Sequence, residues 1–119
     1  MNIQEIANKL VAYCQEAKWE AAQRELYAKD AVSIEAQDSP VFGKETKGLA
    51  AIIEKGRKFD SMVEKIHSLA VSAPVVADSS FAITMTMDMT MKGQPRMKMS
   101  ELCVYEVKDG KIVSEQFHY

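Results

Sequence analysis

Between residues 80 and 107 apolar and polar side chains alternate with a period of two, whereas the first third of the chain repeats apolar residues every three or four positions. The first pattern predicts strands with one buried face and the second predicts amphipathic helices. Ile3, Ile6, Ala7, Leu10, Val11 and Cys14 mark a helix over about 2–15, and Trp19, Ala22, Leu26 and Tyr27 mark a second over about 18–28. Val32 to Ala36 reads as a short strand, followed by a polar turn through Asp38, Ser39, Pro40 and Gly43. Leu49, Ile52 and Ile53, with Phe59 beyond, predict a third helix from about Leu49 to Lys58.

From Met62 onward strand signals dominate. Turns at Ala77-Asp78-Ser79, Lys92-Gly93-Gln94-Pro95 and Lys108-Asp109-Gly110 divide this half into four antiparallel strands, about 62–76, 80–91, 96–107 and 111–119. The Asp109-Gly110 step is the strongest hairpin signal, because such turns need positive φ, which glycine tolerates. Pro74 lacks the N–H that a sheet interior requires, so it predicts a bend or bulge and a curved sheet. The expected fold is α+β, with three N-terminal helices closing the concave side of a strongly curved antiparallel sheet.

Alternation also assigns residues to faces. One face carries Phe81, Ile83, Met85, Met87, Met89 and Met91, then Met97, Met99, Glu101, Cys103, Tyr105 and Val107, then Val113, Glu115, Phe117 and Tyr119. Six methionines within fifteen residues make this face unusual, since the unbranched thioether adapts to irregular shapes. Such a row is either plain core or the wall of an apolar pocket. Glu101 and Glu115 break its apolar character, and a carboxyl in such surroundings tends towards a raised pKa, as general acids and bases require. The opposite face mixes Thr84, Thr86, Asp88, Thr90, Arg96, Lys98 and Ser100 with Leu102 and Val104, a surface suited to a sheet-on-sheet homodimer.

Composition narrows the classes. At 119 residues the chain is one domain, and a formal net charge of −2 without a basic stripe argues against nucleic acid. No apolar run reaches membrane-spanning length, and the N-terminus lacks a signal-peptide pattern. Cys14 and Cys103 form no CxxC pair, so two reduced thiols in a cytoplasmic protein are expected. The alternating thioethers also fit Cu(I), but Met packs far more often than it ligates. Glu35, Glu101 and Glu115 lack a contiguous cation-ligand motif, so neither metal nor cofactor is expected.

The order of parts is similar to the SnoaL-like branch of the nuclear transport factor 2-like superfamily: two helices with Trp19 opening the second, "LYAKDAVSIEA" running into a strand, a helix after "GKETKG", and the terminal "VYEVKDGKIVSEQFHY" hairpin. That resemblance covers nearly the whole chain and implies a cone-shaped α+β barrel, an apolar pocket and a dimer. Ketosteroid isomerase, in the same superfamily, uses a carboxylate base with a Tyr and a protonated acid as oxyanion donors. Carried over by position, the resemblance implies Tyr13 as the Tyr, Glu35 as the base, and Glu101 or Cys103 at the second acid. Glu115 stands where that enzyme has an apolar residue. The cyclase branch uses an Asp and His pair, for which His67 and His118 are the histidines available here.

The resulting expectation is a small, mostly apolar molecule bound among Phe81, Met85, Met87, Met99, Cys103, Phe117 and Tyr119. Tyr13, Glu35, Glu101 and Glu115 are the candidates for isomerase- or cyclase-like proton transfer beside a carbonyl. A non-catalytic binding or dimerisation domain is the alternative.

Overall fold

A computed structural model describes all residues, 1–119. Helix α1, Ile3–Gln15, starts at a reciprocal cap: the Glu5 backbone N–H donates to the Asn2 side chain at 2.9 Å, and the Asn2 N–H donates to the Glu5 carboxylate at 3.3 Å. This arrangement satisfies two N–H groups that the first turn leaves without helical partners. Ile6, Ala7, Leu10 and Cys14 form its buried stripe. Ala17, with φ of 56°, turns the chain into α2, Trp19–Leu26, which buries Ala22 and Leu26.

Strand β1, Tyr27–Ile34, follows α2 without a loop, so Tyr27 begins a strand where the periodicity predicted the end of a helix. The short β2, Glu45–Lys47, was absent from the sequence reading and pairs with β1. Helix α3, Leu49–Met62, runs four residues beyond the predicted end at Lys58. Then come β3, Val63–Val71, and β4, Val75–Val76, separated at the predicted Pro74 break and both paired with β5, Ser80–Met91. Strands β6, Met97–Lys108, and β7, Lys111–His118, complete the sheet.

The strand order is β2-β1-β7-β6-β5-β3, with β4 beside β5. Two features differ from the expected antiparallel barrel. Strands β1 and β7 run parallel, which makes the sheet mixed, and the sheet remains open because β2 and β3 are its edges. The local pattern marks strands but carries no signal for this long-range parallel pairing.

Cross-strand register builds the inner face. Met87 lies opposite Met99, Met85 opposite Glu101, Ile83 opposite Cys103 and Phe81 opposite Tyr105; Tyr105 in turn faces Glu115, and Glu115 faces Ser33. A bulge between the Glu106–Ser114 and Val107–Ile112 pairs leaves Val113 without a partner. Ile112 and Glu115 are consequently both buried although three residues apart, and Val113 is only half-buried, contrary to the uninterrupted alternation expected of this strand. The three helices cover the inner face, joining Leu10, Leu26, Ile52, Phe81, Ile83 and the buried methionines in one core.

Candidate functional site

Between the helices and the inner face lies a cavity of about 330 Å³, roughly twice the ~150 Å³ that holds a benzene in an engineered core. Its walls are mainly hydrophobic. Helix α1 supplies Leu10 and Cys14, α2 supplies Trp19, Ala22 and Gln23, and α3 supplies Ile52, Lys55, Gly56 and Phe59. The sheet adds Met85, Met87, Met89, Met99, Tyr105 and Phe117, with Phe42 and Tyr119 from irregular chain. The methionine row is thus both core and cavity wall: Met85, Met87 and Met89 are buried, while the outward Thr84 is exposed.

Polar groups form one connected chain along this cavity. The Tyr27 hydroxyl donates to one oxygen of Glu115, and Ser33 Oγ donates to the other at 2.6 Å. Lys55 Nζ donates to Ser33 Oγ at 2.6 Å and to Glu35 Oε1 at 3.1 Å. Tyr119 donates to the second Glu35 oxygen at 3.1 Å. Ser33 and Glu35 share parity along and just beyond β1, Tyr27 enters the same side ahead of an irregularity in that strand, and Lys55 lies on the turn of α3 after buried Ile52. Lys55 Nζ also sits 5.8 Å from the centre of the Phe117 ring. An ammonium has three donors, so two hydrogen bonds leave one N–H of Lys55 without a protein acceptor.

The glutamates occupy different electrostatic settings. Burial pushes the Glu115 carboxyl up, against the opposing effect of the Ser33 and Tyr27 hydrogen bonds. Burial also raises Glu101 to about 7; the thiol hydrogen bond from Cys103 opposes this, Glu35 and Glu115 add to it, and Lys55 opposes it. The Cys103 thiol donates to Glu101 Oε1 at 3.7 Å, and no Lys or Arg forms an ion pair with Glu101. Glu35 differs in being paired with Lys55. Burial drives the Cys14 thiol up to about 12 and Cys103 further still, which leaves both as poor nucleophiles.

Among the sequence candidates, Glu35, Glu101, Glu115, Met85, Met87, Met99, Phe117 and Tyr119 all line the cavity. Three do not. Tyr13 lies on the other side of α1, where its hydroxyl donates to Glu25 at 2.5 Å, so the position carried over from ketosteroid isomerase faces away. Phe81 is buried beyond the cavity and stacks on Tyr105 with ring centres 4.9 Å apart. Cys103 is fully buried behind Glu101. His67 bonds Thr90 Oγ1 at 2.8 Å, His118 is exposed, and neither lines the cavity.

Sequence reasoning missed Tyr27, Ser33 and Lys55. Tyr27 was absorbed into a helix and Lys55 carries no signal within α3 that marks it, although Ser33 shares parity with Glu35 and the alternation of β1 could have flagged it. No group of three or more His, Cys, Asp or Glu side chains converges as a metal-ligand set.

The family model of the SnoaL-like domain matches residues 1–119. The chain belongs to the SnoaL-like family. A structure from Mesorhizobium loti, provisionally named a SnoaL-like polyketide cyclase with carbohydrate phosphatase in brackets, is 30% identical, with a TM-score of 0.92 over 100% of both chains. A provisionally named isomerase from Bacillus subtilis is 24% identical, with a TM-score of 0.74 over 98% of this chain and 88% of its own. A Xanthomonas campestris protein of unknown function with a cystatin-like fold is 18% identical, with a TM-score of 0.82 over 98% and 89%. Comparison with curated proteins gave no match. This SnoaL-like chain therefore shares an open, curved α+β fold with its relatives.

Proposed function

We propose that this SnoaL-like protein binds a small, mostly apolar carbonyl compound in the cavity and moves a proton at the carbon next to the carbonyl. The observation that carries this reading is the placement of Glu101 and Lys55 on one apolar cavity. A general acid–base group works best with its pKa near the operating pH, and Glu101 sits at about 7. Its carboxylate takes the proton, and its carboxylic acid returns one at the same or a neighbouring carbon. The unused N–H of Lys55 faces the oxygen on which enolate charge develops, in surroundings where water screens little. Ser33 and Glu35 hold the ammonium, and Tyr119 holds Glu35, so these residues position Lys55.

The names of the Mesorhizobium loti and Bacillus subtilis proteins, a cyclase and an isomerase, agree with chemistry beside a carbonyl. Hydrogen–deuterium exchange into 2-tetralone, followed by NMR, tests the reading. Wild type accelerates exchange, and Glu101→Gln lowers the rate by about a hundredfold or more. Exchange at the wild-type rate in Glu101→Gln would sink the assignment.

A second reading rests on the outer face of the sheet, where Leu102 is 42% exposed amid polar neighbours. That face pairs with a second copy of the chain. Sedimentation at micromolar concentration distinguishes dimer from monomer.

A further inference from the structure

The cavity has an imbalance of charge that the carbonyl reading leaves unused. Three carboxyl side chains, Glu35, Glu101 and Glu115, line it against a single cation, Lys55. Lys55 is committed to Glu35, and Glu115 is held by two hydroxyls. Glu101 alone has no cationic or hydroxyl partner, only the weak thiol contact from Cys103. The same cavity is lined by the aromatic rings of Trp19, Phe42, Phe59, Phe117 and Tyr119. Aromatic faces attract cations, and more strongly where water is excluded.

We propose that the cavity is a binding site for a lipophilic ammonium ion, with Glu101 as its counter-ion and the aromatic walls as its cage. A free ammonium loses hydration on entering an apolar site, which normally opposes binding. Here the protein has already desolvated the partner carboxylate during folding, so ion pairing relieves a cost present in the empty site. An anionic ligand meets the opposite situation, with Glu35, Glu101 and Glu115 all disfavouring it. The volume suits an ammonium carried on one or two rings. This inference rests on cavity shape and charge and stands whether or not the protein catalyses proton transfer.

The groups facing Glu101 are Cys103 on its own strand, Cys14 from α1, Lys55 from α3, Glu115 from β7, Glu35 after β1, and Tyr119 at the C-terminus. Burial holds Cys14 and Cys103 in the neutral thiol form, and Tyr119 is likewise pushed up. Burial pushes Glu115 up as well, so Glu101, at about 7, gains charge between about pH 6 and pH 8 and the Glu101→Gln comparison separates its charge from that of Glu115.

Phenyltrimethylammonium and its neutral isostere tert-butylbenzene provide the test, because neither probe titrates. Binding is followed through the methyl NMR signals of Met85, Met87, Met89 and Met99, which lie on the cavity wall. The cation binds about tenfold more tightly than the isostere at about pH 8, and the preference shrinks at about pH 6. Glu101→Gln brings the preference close to one while tert-butylbenzene still binds. Equal or weaker binding of the cation by wild type at about pH 8, or a preference untouched by Glu101→Gln, would overturn the proposal. Should Glu101→Gln fail to fold, the pH dependence in wild type decides alone, and a flat preference counts against it.

Discussion

Three glutamates on one cavity show how far surroundings determine the behaviour of one residue type. Glu35 is paired with a lysine, Glu115 lies buried between two hydroxyls, and Glu101 is half-buried with only a thiol against it. For Glu101 the consequence extends to stability. A carboxyl raised from 4.5 to about 7 binds more protons in the folded than in the unfolded state, so stability falls as pH rises through that interval. The loss amounts to at most about 3 kcal/mol above pH 7. Glu101→Gln removes this ionisation, so the variant is more stable than wild type at about pH 8, with the gap closing towards pH 5. Urea denaturation at the two pH values measures it; a Glu101→Gln variant equally destabilised at both would contradict the burial argument. The sequence exposed Glu101 and Glu115 because each interrupted an apolar row, whereas Tyr27 and Lys55 conformed to their local patterns and stayed hidden.

At the level of elements, legibility followed periodicity. Strand β5 spans Ser80–Met91 as its alternation predicted, since four successive Met–polar steps admit no other period. The β1 boundary was obscured because Leu26 and Tyr27 suit a helix end as well as a strand start. Strand β2 was missed because Glu45-Thr46-Lys47 has no apolar row, and its pairing rests on backbone bonds to β1. Gly48 sets the corner between β2 and α3 at φ 93° and ψ 142°, while its N–H donates to Ala31 O at 2.8 Å. A Cβ there would meet Lys29 O at an ordinary 3.9 Å, so the expected penalty is conformational rather than steric. Gly48→Ala costs about 1–3 kcal/mol of stability, measurable by denaturant titration. An unchanged midpoint would mean that the corner relaxes freely.

For the whole molecule, the inner and outer faces of one sheet present different surfaces. The inner face builds the cavity, and the outer face presents Leu102 and half-buried Val104 beside a Thr86–Ser100 hydrogen bond at 2.8 Å and an Asp88–Arg96 pair. A second copy covering Leu102 removes that apolar surface from water. Leu102→Lys is therefore expected to shift the sedimenting species from dimer to monomer at micromolar concentration while the methyl NMR signals of the cavity stay unchanged. A wild type that sediments as a monomer would remove this expectation. The fold class was readable because helix and strand periods segregate along the chain; the open, mixed sheet was not, because the parallel meeting of β1 and β7 joins residues over eighty positions apart.

The unpaired Val113 also works as a phase shifter for the last strand. Because it adds one residue to β7 opposite β6, everything after it presents the reverse of the alternation set by Ile112. Were Val113 instead paired regularly with Glu106, without the bulge, Glu115 and Phe117 would turn outward and Ser114 and Gln116 would take their place. Whether this one residue is extruded or paired therefore decides which side chains of the last strand the interior receives, without a change in any of them.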